Sequence, residues 1–170
     1  MTYNPDIHHR RSIRLQEFDY SFVGAYFVTI CAWNRECLFG DVADGEMRLN
    51  DLGRVVESVW LALPEHYAGI QLNVNVIMPN HFHGIVNIVG AGLKPAPTGK
   101  QHGLSEIVRG FKTFSSRRIN EIRNNPGCPV WQRNYYERVI RNDIELSLAR
   151  EYIVNNPLKW DTDDNNPAMS

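Results

Sequence analysis

Apolar and polar positions follow two rhythms along this chain, and the rhythms separate strands from helices. The run Ala25-Tyr26-Phe27-Val28-Thr29-Ile30-Cys31-Ala32-Trp33 is dense in β-branched and aromatic residues and reads as a strand. Residues 34–50 read as a loop or short hairpin, with Gly40-Asp41 and Asp44-Gly45 as turn signals. Leu52, Val55, Val56, Val59, Trp60 and Leu63 recur at helical spacing, which predicts a helix from a cap at Asn50 or Asp51 to about His66. Two strands, roughly 70–78 and 81–89, flank a tight turn at Pro79-Asn80. Ser105 with Glu106 opens a helix to about Arg123. Its expected buried side holds Ile107, Phe111, Phe114 and Ile122, opposite Arg109, Lys112, Ser116, Asn120 and Arg123. Residues 130–141 read as a strand rich in aromatics and arginine. Asp143 is the expected cap of a last helix that stops at Asn156-Pro157, because proline cannot continue it.

The order is strand, helix, strand, strand, helix, strand, helix. Its first six members are the split βαβ arrangement of a ferredoxin-like fold. The expectation is an α+β domain with a four- to five-stranded antiparallel sheet, helices on one face and an added C-terminal helix. It is a single domain over 1–170, with a basic N-terminal arm at 1–20, a Gly/Pro-rich flexible loop at 90–103 and a polar tail at 161–170.

Composition narrows the class. The chain has 170 residues, 43% hydrophobic and 22% charged, as in a globular domain. No apolar run approaches the ~20 residues that span a bilayer, so no membrane partner is expected. The N-terminus lacks the layout of a signal peptide, which makes a cytoplasmic location the expectation. Three cysteines without a C-x-x-C pair argue against a disulfide framework or a cysteine zinc site. The net charge of −1 averages unlike halves: residues 94–141 hold ten Lys/Arg against three Glu. A second basic cluster, with Arg10, Arg11 and Arg14, lies near the N-terminus. Such segregation points either to a polyanionic partner or to solvated helix faces.

The candidate chemistry starts at His81-Phe82-His83. Residues two apart on a strand share a face, so both imidazoles project together with Phe82 on the other face. Two imidazoles held that way can grip one divalent ion, or they can be half-buried hydrogen-bonding histidines. On the last helix Tyr152 and Asn156 lie one turn apart. Asn156 offers a carbonyl oxygen to a hard cation, and Tyr152 brings a phenol that a nearby cation can activate. Their plainer roles are a packed tyrosine and a helix-terminating residue. In the 130–141 strand, Arg133, Tyr135, Tyr136, Arg138 and Arg141 interleave aromatics with arginine, as base-stacking and phosphate-holding surfaces do and as packed strands also do. Glu137 is an auxiliary candidate, as an outer metal ligand, a general base or an ion-pair partner.

Three segments together resemble a known family. Met78-Pro79-Asn80-His81-Phe82-His83 resembles the HUH motif of single-tyrosine transposases. The segment from Trp131 to Arg141 is similar to the strand before their catalytic helix. Tyr152-Ile153-Val154-Asn155-Asn156-Pro157-Leu158-Lys159 resembles that helix in the REP-associated branch. The resemblance spans about residues 22–160. It implies a metal-dependent endonuclease and transposase acting on single-stranded DNA. Tyr152 is then the nucleophile, forming a 5′-phosphotyrosine link and leaving a free 3′-OH. His81, His83 and Asn156 are then the ligands of Mg²⁺ or Mn²⁺. It further implies a REP-like palindromic DNA hairpin as substrate, cut beside a guide tetranucleotide, and a monomer or homodimer. Arg10, Arg11, Arg14, Arg109, Lys112 and Arg123 are the expected phosphate contacts. Two other readings remain at this point: a non-catalytic single-stranded nucleic-acid-binding module, and a zinc hydrolase using His81, His83 and an acidic third ligand such as Glu137.

Overall fold

A computed structural model describes residues 23–89 and 102–169. The arm at 1–20, with Arg10, Arg11 and Arg14, and most of the 90–103 loop lie outside the described residues. Strand β1 (Gly24–Cys31) is followed by a hairpin, β2 (Gly40–Ala43) and β3 (Glu46–Leu49), and by helices α1 (Asp51–Leu61) and α2 (Leu63–His66). Strands β4 (Ile70–Ile77) and β5 (His81–Ile88), helix α3 (Leu104–Ile122), strand β6 (Tyr136–Ile140) and helix α4 (Asp143–Val154) complete the order. Short 3-10 segments follow at Pro157–Thr162 and Pro167–Met169.

Local sequence accounts for these elements. Asn50 caps α1 by accepting from the Gly53 N–H, and the Asp44-Gly45 turn takes positive φ at both residues, as a two-residue hairpin demands. The cap of α4 is Asn142, which accepts from the Glu145 N–H, and not Asp143. An amide at that position offers the acceptor, and Asp143 then serves as a first-turn acid facing the positive helix end.

The main sheet runs β4-β5-β1-β6, all antiparallel, with β2-β3 a separate ribbon. This is the ferredoxin-like order. One face carries Tyr26, Val28, Ile30, Phe82 and Val86 and packs beneath α1 and α3, through Trp60, Ile107 and Phe111. The other face carries Phe27 and Ile85 and packs against Ala149 and Ile153 of α4. The last helix thus sits alone opposite α1 and α3, and the site lies beneath it. Gly84 is required on the crowded face: a Cβ there would stand 2.8 Å from the rings of both Phe82 and Trp60.

Two expectations change. The buried stripe of α3 is Leu104, Ile107, Val108, Phe111, Ser115 and Ile119, while Phe114 and Ile122 are exposed and Asn120 is buried. Asn120 is tolerated inside because its amide donates to the Cys128 carbonyl and its oxygen accepts from Arg123. The 130–141 strand is interrupted. Ala32 pairs with Trp131 and Thr29 with Tyr136, so β1 advances three residues while its partner advances five. The two extra residues leave the ladder. The freed carbonyls of Gln132 and Arg133 instead accept from the Lys112 ammonium, at 2.6 and 3.1 Å.

Candidate functional site

His81 and His83 open β5 on the α4 face, and alternation buries Phe82 completely on the other face. Both imidazoles are themselves buried, at 0% and 3% exposure, with ring centroids 4.7 Å apart. Burial pushes the His81 pKa down, against the raising influence of Asp163 and of the Asn156 oxygen, to which a protonated Nε2 would donate. Burial, with the neighbouring His81 charge adding to it, pushes His83 down to about 3. Both rings are therefore neutral near pH 7, the state in which imidazole has a lone pair for a metal.

Their orientations are set from outside. The Asn80 amide donates to the Arg35 carbonyl at 3.0 Å and to the Asn165 carbonyl at 2.7 Å. Two acceptors on its nitrogen fix which way the amide points. Its oxygen then faces His81 Nδ1 at 2.9 Å. Nδ1 must carry the proton, and Nε2 is left with a lone pair. That lone pair faces Asn156 Oδ1 at 3.4 Å. His83 is held by the Thr29 hydroxyl on Nδ1 at 2.7 Å, and its buried Nε2 has no hydrogen-bond partner among the described residues.

Helix α4 brings the other two residues. Ala149 and Ile153 anchor it to Phe27 and Ile85. An irregularity in β4 between Leu72 and Asn75 frees the Asn73 side chain to accept from Arg150 Nε at 3.0 Å, which ties the helix to the sheet. Asn156, just past the helix end, is 2% exposed beside His81. Tyr152, one turn earlier, is 44% exposed, with its ring 5.2 Å from His83 and 6.0 Å from Phe27. A cleft of about 480 Å³ opens there, lined by Phe27, Thr29, His83, Tyr136, Arg138, Leu148, Ala149, Tyr152 and Asn165. A phenol with water on one side and buried imidazoles on the other is accessible to a substrate.

The sheet's parity sorts the remaining candidates. Tyr136 pairs with Thr29 and Arg138 with Phe27, so both stand on the site face, with the Arg138 guanidinium 5.8 Å from the Phe27 ring centroid. Glu137 pairs with Val28 and points into the opposite face, where it is 5% exposed. That register keeps it off the site face, so a zinc reading would need another acidic ligand. Tyr135 likewise packs against the α1–α3 core rather than stacking in the cleft. Lys112 is spent on two backbone carbonyls, and Arg123 on Asn120. Arg109 is exposed on α3, across the sheet from Tyr152; Arg133 and Arg141 are exposed flanking β6.

The tail holds what sequence reasoning missed. Trp160 and Asn166 are buried, and Asp163 puts Oδ2 3.9 Å from His81 Nε2. The clustered Asn and Asp at 161–166 were the available signal, but polar tails of that composition are common. Among the described residues no three His, Cys, Asp or Glu side chains meet the spacing of a metal cluster, so a cation here depends on the Asn156 amide oxygen as well. Among the described residues no helix is long and apolar enough to cross a membrane.

No family model matches the chain. It is 42% identical over 176 residues to an uncharacterized protein of Haemophilus influenzae, covering 95% of each. Among solved structures it is similar to a REP-associated tyrosine transposase bound to a REP hairpin, with TM-score 0.58 and 19% identity over 88% of this chain and 73% of that one. It is also similar to a candidate transposase of Deinococcus radiodurans, with TM-score 0.50 and 16% identity over 84% of this chain and 97% of that one. The chain belongs to one family with the Haemophilus protein, and it has the α+β fold of these transposases.

Proposed function

We propose that this chain is a metal-dependent single-stranded DNA endonuclease and transposase of the HUH single-tyrosine type. The observation that carries the reading is the convergence beneath α4 of His81, Asn156 and His83, whose Nε2 has no partner among the described residues, with the exposed ring of Tyr152. Two lone-pair atoms, His81 Nε2 and Asn156 Oδ1, face each other at 3.4 Å with no proton between them. Donors at about 2.1 Å from one ion stand about 3.0–3.4 Å apart, so the pair fits a shared divalent cation. His81, His83 and Asn156 would hold Mg²⁺ or Mn²⁺. Bound there, the ion would polarise a phosphodiester and neutralise its charge.

The chain's own residues do the rest. Tyr152 Oη attacks phosphorus, giving up its proton to water at the exposed edge of the cleft. The bond from phosphorus to the 3′ oxygen breaks, and that oxygen takes a proton to become a free 3′-OH. The 5′ phosphate stays on Tyr152, so attack by a 3′-OH reverses the step without an external energy source. The transposase of similar fold is bound to a REP hairpin. We take a palindromic DNA hairpin as the substrate class here too, with Arg138 and Tyr136 placed for a phosphate and a base near Tyr152. The test is nicking of a labelled single-stranded hairpin with Mn²⁺ or Mg²⁺. Cleavage is expected to stop with EDTA and in His81→Ala and His83→Ala. Cleavage that persists in EDTA would refute the metal role, and tight hairpin binding with no nicking under any ion would favour a non-catalytic binding module.

A further inference from the structure

Asp163 reaches the histidine pair from outside the sheet and outside α4. Its side chain is only 10% exposed. One carboxylate oxygen, Oδ1, accepts from the Asn165 backbone N–H at 2.8 Å and from the Asn165 amide at 3.0 Å. That grip turns Oδ2 toward His81 Nε2. The backbone around it is pinned as well. The Asp163 N–H donates to the Trp160 carbonyl, the Asn166 amide donates to the same carbonyl, and Asn80 holds the Asn165 carbonyl. The Asn80 amide therefore fixes two things at once: the tautomer of His81 and the position of the turn that carries Asp163.

The result is two oxygen acceptors that face the lone pair of His81 Nε2. His81 Nε2 bears a lone pair because its Nδ1 proton goes to Asn80. Asn156 Oδ1 stands 3.4 Å from it and Asp163 Oδ2 3.9 Å from it. The His83 ring, its centroid 4.7 Å from that of His81, adds a buried Nε2 that has no partner among the described residues. Oxygen and nitrogen lone pairs gathered away from water repel unless a cation lies among them.

We propose that Asp163 is a fourth protein donor to the divalent ion, so that the segment after α4 is a working part of the metal centre. The proposal rests on the metal reading given above. As they stand, His81, His83 and Asp163 do not meet ligand spacing as a trio among the described residues, so Asp163 Oδ2 would close from 3.9 Å as the ion binds; with the two imidazoles and the Asn156 oxygen the set would be N₂O₂, which suits a hard ion such as Mn²⁺. The carboxylate also cancels one unit of the ion's charge, which raises affinity for the free ion.

Binding of Mn²⁺ alone to the purified full-length chain, followed by electron paramagnetic resonance of the free ion, tests this without any cleavage readout. Asp163→Asn, close to isosteric, is expected to weaken Mn²⁺ binding at least about 10-fold. Asp164→Asn, at the exposed neighbouring carboxylate, is expected to change it less than about 2-fold, as surface substitutions do. If Asp163→Asn does not fold by circular dichroism, Asp163→Ser, which keeps an oxygen for the Asn165 N–H, carries the same expectation. Mn²⁺ affinity equal to wild type in a folded Asp163 variant would overturn the proposal. Tighter binding would also overturn it, by showing that the carboxylate obstructs the ion. His83→Ala separates the two levels. If it abolishes binding while Asp163→Asn does not, only the Asp163 proposal fails. If wild type and His83→Ala bind Mn²⁺ equally or not at all, the metal reading fails with it.

Discussion

Replacing Asn80 with alanine removes a single amide that orients both halves of the site. Asn80 is fully buried and makes contacts of 3.0, 2.7 and 2.9 Å with the Arg35 carbonyl, the Asn165 carbonyl and His81 Nδ1. Each buried group left without a partner costs about 1–3 kcal/mol. Arg35 is exposed and Asn165 half-buried, so water can partly rescue those two carbonyls. His81 is at 0% exposure and cannot be rescued without opening the core. The variant is expected to lose about 3–5 kcal/mol, read by urea unfolding followed through tryptophan fluorescence. In the folded fraction the His81 ring is no longer committed to the Nδ1–H tautomer, and divalent-ion affinity is expected to fall about 10–100-fold. Nitrogen-15 NMR of the imidazole reads the tautomer directly. A variant within about 0.5 kcal/mol of wild type, with the His81 tautomer unchanged, would refute the reasoning.

Lys112→Met is expected to cost about 1–3 kcal/mol, because it orphans the carbonyls of the extra residues before β6, while leaving the salt dependence of hairpin binding unchanged; a reduced salt slope with unchanged stability would return Lys112 to the DNA surface. The metal-free protein should lose stability in acid. Folded His83, at about 3 against 6.5 when unfolded, holds its proton more weakly than the open chain. The unfolded state therefore takes up more protons as pH falls through that window, and stability is lost there at up to about 1.4 kcal/mol per pH unit. His83→Phe should flatten that slope in urea titrations between pH 6.5 and 4, and an unchanged slope would contradict it.

The parts of the site that were legible in the sequence are those governed by a short period. Strand alternation alone places His81 and His83 together and Phe82 behind them. Helical spacing alone places Tyr152 over Asn156. The chain order of elements gives the ferredoxin-like sheet. What could not be read depends on pairing across long separations. Whether Glu137 or Arg138 enters the site is decided by the register of β6 on β1, and two extra residues before β6 hide that parity. Lys112 looked like a surface cation because its carbonyl partners lie twenty residues on, in that same irregular stretch. Phe114 and Ile122 matched the helical period, yet α3 turns Ser115 and Ile119 inward instead, where Ser115 meets the Trp131 indole. Asp163 caps a 3-10 segment with no apolar rhythm at all, and long-range contacts such as Asn80–Asn165 and Trp160–His81 bring it to the histidines.

The most direct test of the account is the covalent intermediate. Wild-type protein is incubated with Mn²⁺ and a single-stranded hairpin oligonucleotide carrying a 3′-bridging phosphorothiolate at the cut site, whose 3′-thiol leaving group rejoins poorly and so traps the adduct, and is then digested for mass spectrometry. The account requires a nucleotide phosphate on Tyr152, and it requires Tyr152→Phe to lose both adduct and cleavage while binding the hairpin as before. An adduct on another residue, or cleavage that survives in Tyr152→Phe, would contradict it.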